Sequence, residues 1–197
     1  MVVAAVGILC LQGDFESHGA VFARLGATPR NVRYPGDLDG CDALIIPGGE
    51  STTISRLIDF IGLREAILEF AQSRPILGTC AGMIMMAREV NDPRVRSLEL
   101  MDIRVERNAY GRQVESFTAP LDFRVNGQRE TVRGIFIRAP RIISVGKGVE
   151  ILASLDGEPV FVRDGHHLAT TFHPELSGSA TVHSLLLTLT GEAQSVP

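Results

Sequence analysis

Residues 2–11 form an unbroken β-branched and aliphatic run that Gln12-Gly13-Asp14 interrupts. A run without polar alternation reads as a strand buried on both faces, and such strands belong at the centre of a parallel sheet covered by helices. The chain then keeps to that plan. Phe15, Val21, Phe22 and Leu25 fall near helical spacing, and Gly26 is placed to stop the helix. Residues 30–33 make a weak second strand, Ala43–Ile46 a short apolar strand cut off by Pro47-Gly48-Gly49, and residues 51–59 and 63–73 carry helical patterns. Pro75 opens a fourth strand, 76–78, which runs into Thr79-Cys80-Ala81-Gly82 and a Met-rich helical stretch at 83–88. Strands alternating with helices predict an α/β fold, a three-layer arrangement with a mostly parallel sheet between helices.

From about Met101 the pattern changes to short strand-like segments, at 101–105, 117–125, 131–137, 149–155, 159–163 and 168–172, which predict extra short antiparallel strands. An amphipathic stretch at 180–190 closes the fold as a helix, and 191–197 reads as a frayed tail. No repeat or linker divides the 197 residues, so a single domain over 1–197 is expected, burying roughly 70% of its unfolded surface.

Charge narrows the function classes. The chain carries 19 Lys plus Arg against 23 Asp plus Glu, a net charge of −4, with no basic block and no Trp, which argues against a nucleic-acid surface. The first apolar run has no preceding positive charge and no small-residue cleavage site, and it is shorter than the ~18 residues of a membrane span. Neither secretion nor membrane insertion is expected. Cys10, Cys41 and Cys80 are odd in number and lack CxxC spacing, which argues against a disulfide framework or zinc ribbon, and a cytoplasmic setting fits best.

Gly78-Thr79-Cys80-Ala81-Gly82 has the form Gly-x-nucleophile-x-Gly between a buried strand and a helix, the context of a nucleophile elbow. Small neighbours let the nucleophile sit on a tight turn, and the helix N-terminus favours thiolate over thiol. A small buried core cysteine is the competing explanation, and the flanking glycines weigh against it. Cys80 needs a base, and of the five histidines His173 stands out: it follows the apolar segment 168–172 and precedes Pro174-Glu175. In an extended segment His173 and Glu175 share a side, so Glu175 could orient the imidazole as the third member of a triad. His-Pro-Glu alone also fits a surface turn with a solvated carboxylate.

Pro47-Gly48-Gly49-Glu50-Ser51 ends a strand and opens a helix, so its backbone N–H groups suit an oxyanion hole. The competing phosphate loop lacks its Lys, and Ser51 is explained as a helix N-cap. Arg107, Arg112 and Arg138 lie in turn-rich segments where a guanidinium could bind a carboxylate, although spacing alone favours solvated arginines. His166-His167 lacks metal-ligand spacing, and Met83, Met85 and Met86 read as core packing.

Taken together, the Gly-x-Cys-x-Gly elbow, the later His-x-Glu and the Pro-Gly-Gly loop resemble the triad-type, class I glutamine amidotransferases. Within them, Leu11-Gln12-Gly13, Pro47 to Thr53, Gly78 to Met83, Val105-Glu106-Arg107-Asn108, Gly111-Arg112-Gln113, Phe136 to Pro140 and Phe172 to Leu176 resemble the family of glutaminase subunits of pyridoxal 5′-phosphate synthase. The resemblance implies a flavodoxin-like fold and a glutaminase that hydrolyses L-glutamine to glutamate and ammonia without metal or organic cofactor. The ammonia would pass to a (β/α)₈-barrel synthase subunit that makes pyridoxal 5′-phosphate from ribose 5-phosphate and glyceraldehyde 3-phosphate. Carried over by position, Cys80, His173 and Glu175 form the triad, and Gly49, Glu50, Ser51, Arg107, Ile137 and Arg138 contact glutamine. Backbone N–H groups of Gly49 and Ala81 are the expected oxyanion donors. Gln12 and residues 47–51 are expected to communicate with the synthase. Residues 144–165 carry no motif. Two other readings stay open: a cysteine peptidase or other hydrolase on the same fold, and a non-catalytic regulatory partner of a synthase.

Overall fold

All five residues of β1 (Ala5–Leu9) are buried, as the uninterrupted apolar run predicts. In the computed structural model, which describes residues 3–107, 116–125 and 128–193, β1 is an interior strand of a seven-stranded sheet, one strand in from its edge. In chain order, α1 (Phe15–Arg24), β2 (Thr28–Val32), β3 (Ala43–Ile46), α2 (Ser51–Phe60), α3 (Leu63–Ala71), β4 (Ile76–Thr79) and α4 (Ala81–Met86) follow it. Next come β5 (Ala87–Val90), β6 (Met101–Glu106), the hairpin β7 (Ser116–Val125) and β8 (Gln128–Ile137), and β9 (Arg141–Val145). β10 (Val149–Leu155), β11 (Glu158–Asp164), β12 (His167–Thr170) and α5 (Thr181–Ala193) complete the chain.

The large sheet runs β10-β11-β12-β4-β3-β1-β2. Its pairings from β2 through β12 are parallel, in the doubly wound order 2-1-3-4-5 when those five strands are counted by themselves, while β10 and β11 extend it antiparallel. The motifless stretch 144–165 is therefore mostly sheet edge. β2 is the opposite edge, four of its five residues exposed, and an edge tolerates Pro29 because a missing N–H there can face solvent.

Alternation along the central strands divides two cores. Leu44 and Ile46 of β3 pack with Ile54, Ile58 and Ile67 of α2 and α3 and the methionines of α4. Ala43 and Ile45 point the other way, toward Phe22 of α1, Leu185 and Leu186 of α5, and the β7–β8 hairpin. Phe123, Phe136, Phe161 and Phe172 meet in this second core with ring centroids 5.3 to 6.5 Å apart. Each such buried side chain is worth about 1.5–3 kcal/mol.

Three elements differ from expectation. The Met-rich helix stops at Met86 and Ala87–Val90 is a strand, because β6 offers it a parallel partner. Arg141–Val145, too short and mixed to signal a strand, pairs with β6 in a three-stranded sheet with β5. The last helix continues to Ala193, through the start of the expected tail, of which 194–197 lie outside the described residues. Among the described residues, no helix is long and apolar enough to cross a membrane.

Candidate active site

The loops that leave the carboxyl ends of β1, β3, β4 and β12 converge, as doubly wound sheets arrange their sites. Cys80 follows β4 directly, with φ 50° and ψ −104°, a left-handed backbone that costs a non-glycine residue about 1–3 kcal/mol. Its N–H donates to Thr170 O at 2.8 Å, tying the turn to β12. The flanking glycines have a packing reason. A Cβ on Gly82 would collide with Ile46 O of β3, and one on Gly78 would stand 2.6 Å from the Gly82 backbone. Only this close approach brings α4 over the strand ends with Cys80 at its start.

His173 N–H donates to Ile135 O at 2.8 Å, so β8 and β12 together hold the imidazole. Its Nδ1 lies 2.7 Å from Glu175 Oε1, and Cys80 and the ring border the same cavity. Burial by itself lowers the His173 pKa, but the hydrogen bonds and negative charges of Cys80 and Glu175 outweigh it and push it up to about 10. The segment is not extended throughout as expected. Pro174–Leu176 forms a 3₁₀ turn, since the fixed φ of proline suits a first helical position, and the turn still folds Glu175 back onto His173. Gly48 leaves room for the base: a Cβ there would strike His173 Cε1.

These residues face a cavity of about 340 Å³, within the range of small-molecule sites. Gly49, Glu50, Ser51, Ala81, Arg107, Ile137 and Arg138 all border it beside Cys80 and His173. Ile137 O lies 3.9 Å from Cys80 Sγ, and Arg138 carries a left-handed φ of 43° directly after it. Ser51 is not the N-cap of α2. Glu50 is, accepting from the amides of Thr52 and Thr53, because its longer side chain curls back over the first turn. Burial raises the Glu50 pKa, but hydroxyl and amide hydrogen bonds from Thr52 and Thr53 hold it down at about 2. Ser51 Oγ is instead buried against the cavity without a hydrogen-bond partner among the described residues. Arg107 is engaged, donating to Glu50 Oε1 at 2.8 Å and to Asp92. Gln12 Oε1 accepts from Glu50 N–H at 2.6 Å, linking the β1 loop to the site.

The expected site residues are thus brought together. Of the other motifs, Asn108 and Gly111-Arg112-Gln113 lie outside the described residues. His166 and His167 are structural: His167 Nδ1 accepts from Ile76 N–H at 3.2 Å, and His166 Nε2 meets Ala71 O at 2.8 Å. The methionines of α4 are fully buried, as core packing requires. Two residues at the site have no signal in the sequence pattern: Asp92, which holds Arg107, and His18, whose Nε2 lies 3.4 Å from Glu175 Oε2.

A parallel sheet with a Cys-His-Glu line at its carboxyl edge defines the class of glutamine amidotransferases, and solved structures agree. One described as a glutamine amidotransferase superposes with a TM-score of 0.88 at 44% identity, covering 94% of this chain and 98% of that one. The profile of the SNO glutamine amidotransferase family matches residues 8–190, and the chain belongs to that family. Two relatives named pyridoxal 5′-phosphate synthase subunit PdxT are similar over nearly their full length. The one from Desulforudis audaxviator is 49% identical over 183 residues, 92% of this chain and 96% of its own. The one from Pelotomaculum thermopropionicum is 50% identical over 183 residues, 92% of this chain and 93% of its own.

Proposed function

We propose that this chain is the glutaminase subunit of a pyridoxal 5′-phosphate synthase, a single amidotransferase domain working in the cytoplasm. The observation that carries the reading is the alignment of a strained, pocket-facing Cys80 with His173 and Glu175 in a chain of this family. Cys80 thiolate attacks the side-chain amide carbon of glutamine. Backbone N–H groups of Gly49 and Ala81 stabilise the oxyanion, each such donor being worth ~10² to 10³ in rate. His173 imidazolium, held between Cys80 and Glu175, gives its proton to the departing nitrogen, which leaves as ammonia. Now neutral, His173 takes a proton from water, whose oxygen attacks the thioester; glutamate leaves and the thiolate–imidazolium pair returns.

Around the reacting atoms, Ser51 Oγ offers the substrate an unengaged buried hydroxyl, and Glu50, Arg107, Ile137 and Arg138 shape its other end. Glu50 and Arg107 already neutralise one another, so Arg138 is the better partner for a substrate carboxylate. The ammonia then passes to a (β/α)₈-barrel synthase subunit. Gating by that partner has a chemical motive: ammonia released into neutral water is protonated and ceases to be a nucleophile.

Acid-quenched incubation with glutamine, followed by peptide mapping, tests the reading. A γ-glutamyl thioester on Cys80 is expected, lost in Cys80→Ala. A peptide substrate acylating Cys80 where glutamine does not would move the chain to the peptidases.

A further inference from the structure

Glu175 is placed where an ionised carboxylate needs support. Its side chain is 1% exposed, Oε1 is taken by His173 Nδ1, and Oε2 makes no regular hydrogen bond among the described residues. Burying such an oxygen unpaired is costly. Oε2 faces His18 Nε2 at 3.4 Å, on α1, and His18 is itself completely buried. On the other side of that ring, His18 Nδ1 lies 3.0 Å from His183 Nε2 on α5. Thr79 Oγ1, one residue before the nucleophile, is 3.4 Å from His18 Nε2.

What each end can accept fixes the protons on this line. One proton lies between His18 Nδ1 and His183 Nε2. Were it carried by His18, His183 would hold its own proton on Nδ1, a buried atom without a hydrogen-bond partner among the described residues. His18 Nε2 would then also turn a lone pair toward the Glu175 carboxylate. Carried by His183, the same proton leaves Nδ1 of that ring a lone pair only, and His18 directs an N–H at Oε2. The second arrangement turns a donor toward the carboxylate and leaves a lone pair, not an N–H, unmet on His183. Burial keeps the rings neutral, lowering His18 against the pull of the Glu175 charge and His183 to about 3.

We propose that His18, oriented by His183, is a positioning residue whose Nε2–H closes on Glu175 Oε2 and thereby fixes the carboxylate that aims His173 at Cys80. The 3.4 Å separation is that of the free subunit, and hydrogen bonds of this kind tighten as the reaction complex forms. The line joins α1 and α5 to the nucleophile loop through the second core, so the base is held from the face of the sheet opposite α4. The proposal rests on the glutaminase reading for its kinetic consequence but not for its proton assignment.

Nitrogen NMR of the histidine-labelled chain at neutral pH tests the assignment directly. An Nε2–H tautomer is expected for both His18 and His183; an Nδ1–H on His18 overturns the proposal whether or not the chain is a glutaminase. In complex with the synthase, His18→Phe is expected to lower kcat for glutamate release about 10- to 100-fold, as loss of a supporting hydrogen bond commonly does. KM for glutamine should hold, because His18 does not border the cavity. His18→Gln, whose amide can donate from the place of Nε2, should recover most of the loss. Should His18→Phe fail to fold, His18→Asn, which still reaches His183 but falls short of Glu175, is expected to show the same fall. An active wild type with unchanged kcat in these variants overturns the proposal and leaves the glutaminase reading intact. A wild type without activity ends that reading, and the tautomers then decide alone.

Discussion

At Cys80 the backbone and the side chain serve one purpose: the left-handed turn lifts the thiol out of β4 toward His173, and glycines on both sides make the turn possible. Removing the sulfur should remove the covalent route altogether, whereas Glu175→Gln keeps the nucleophile and disturbs only the base. Glutamate release should therefore vanish in Cys80→Ala and fall by up to about 10⁴ in Glu175→Gln, with circular dichroism confirming that both fold. Equal activity in wild type and Cys80→Ala would contradict the assignment. A second expectation concerns pH. His173 is held at about 10 against an ordinary 6.5, so the folded chain keeps a proton that the unfolded chain gives up. The stability it contributes is full below about pH 6.5 and is lost as pH rises through about 10. Denaturant melts of wild type should fall more steeply from pH 8.5 to 10 than those of His173→Asn; parallel curves would refute the raised pKa. Cys80, His173 and Glu175 were legible in the sequence because each pattern is local. His18 was not, since 157 positions separate it from Glu175 and only the packing of α1 on the sheet joins them.

Among the elements, the parallel strands were the most legible, because burial on both faces writes itself as an apolar run. β5 and β9 were not. Ala87-Arg88-Glu89-Val90 carries two charges, and its strand state comes from pairing with β6 rather than from its own propensity. The carboxyl end of β12 couples fold to chemistry: Phe172 is fully buried against Phe123, Phe136 and Phe161, and the next residue is His173. Phe172→Ala should cost about 3–5 kcal/mol by cavity formation, read as a lower denaturation midpoint. It should also depress kcat in whatever fraction remains folded, because the cavity opens beside the base. Gly82→Ala should do comparable damage through a different route, pushing α4 away from Ile46 and carrying Cys80 with it. A Gly82→Ala variant with wild-type stability and activity would show that the contact is not needed.

For the whole molecule, the sheet gathers one loop from each of four parallel strands, while the β7–β8 hairpin and the α1–α5 layer reach the same site from the other core. Sequence reading reached an α/β fold with a mostly parallel sheet because alternation is a chain-wide signal. It read 149–155 and 159–163 as strands but not that they widen the main sheet, because which strands pair is set by tertiary packing rather than by local pattern. A glutaminase so built has no use for ammonia without a recipient. The decisive experiment is glutamate release from glutamine by this chain alone and with the synthase subunit added, each beside Cys80→Ala. Release that appears or rises strongly only with the synthase, and is absent in the variant, is the expected result. Release at the same rate without the synthase, or none under either condition, would contradict a partner-gated glutaminase.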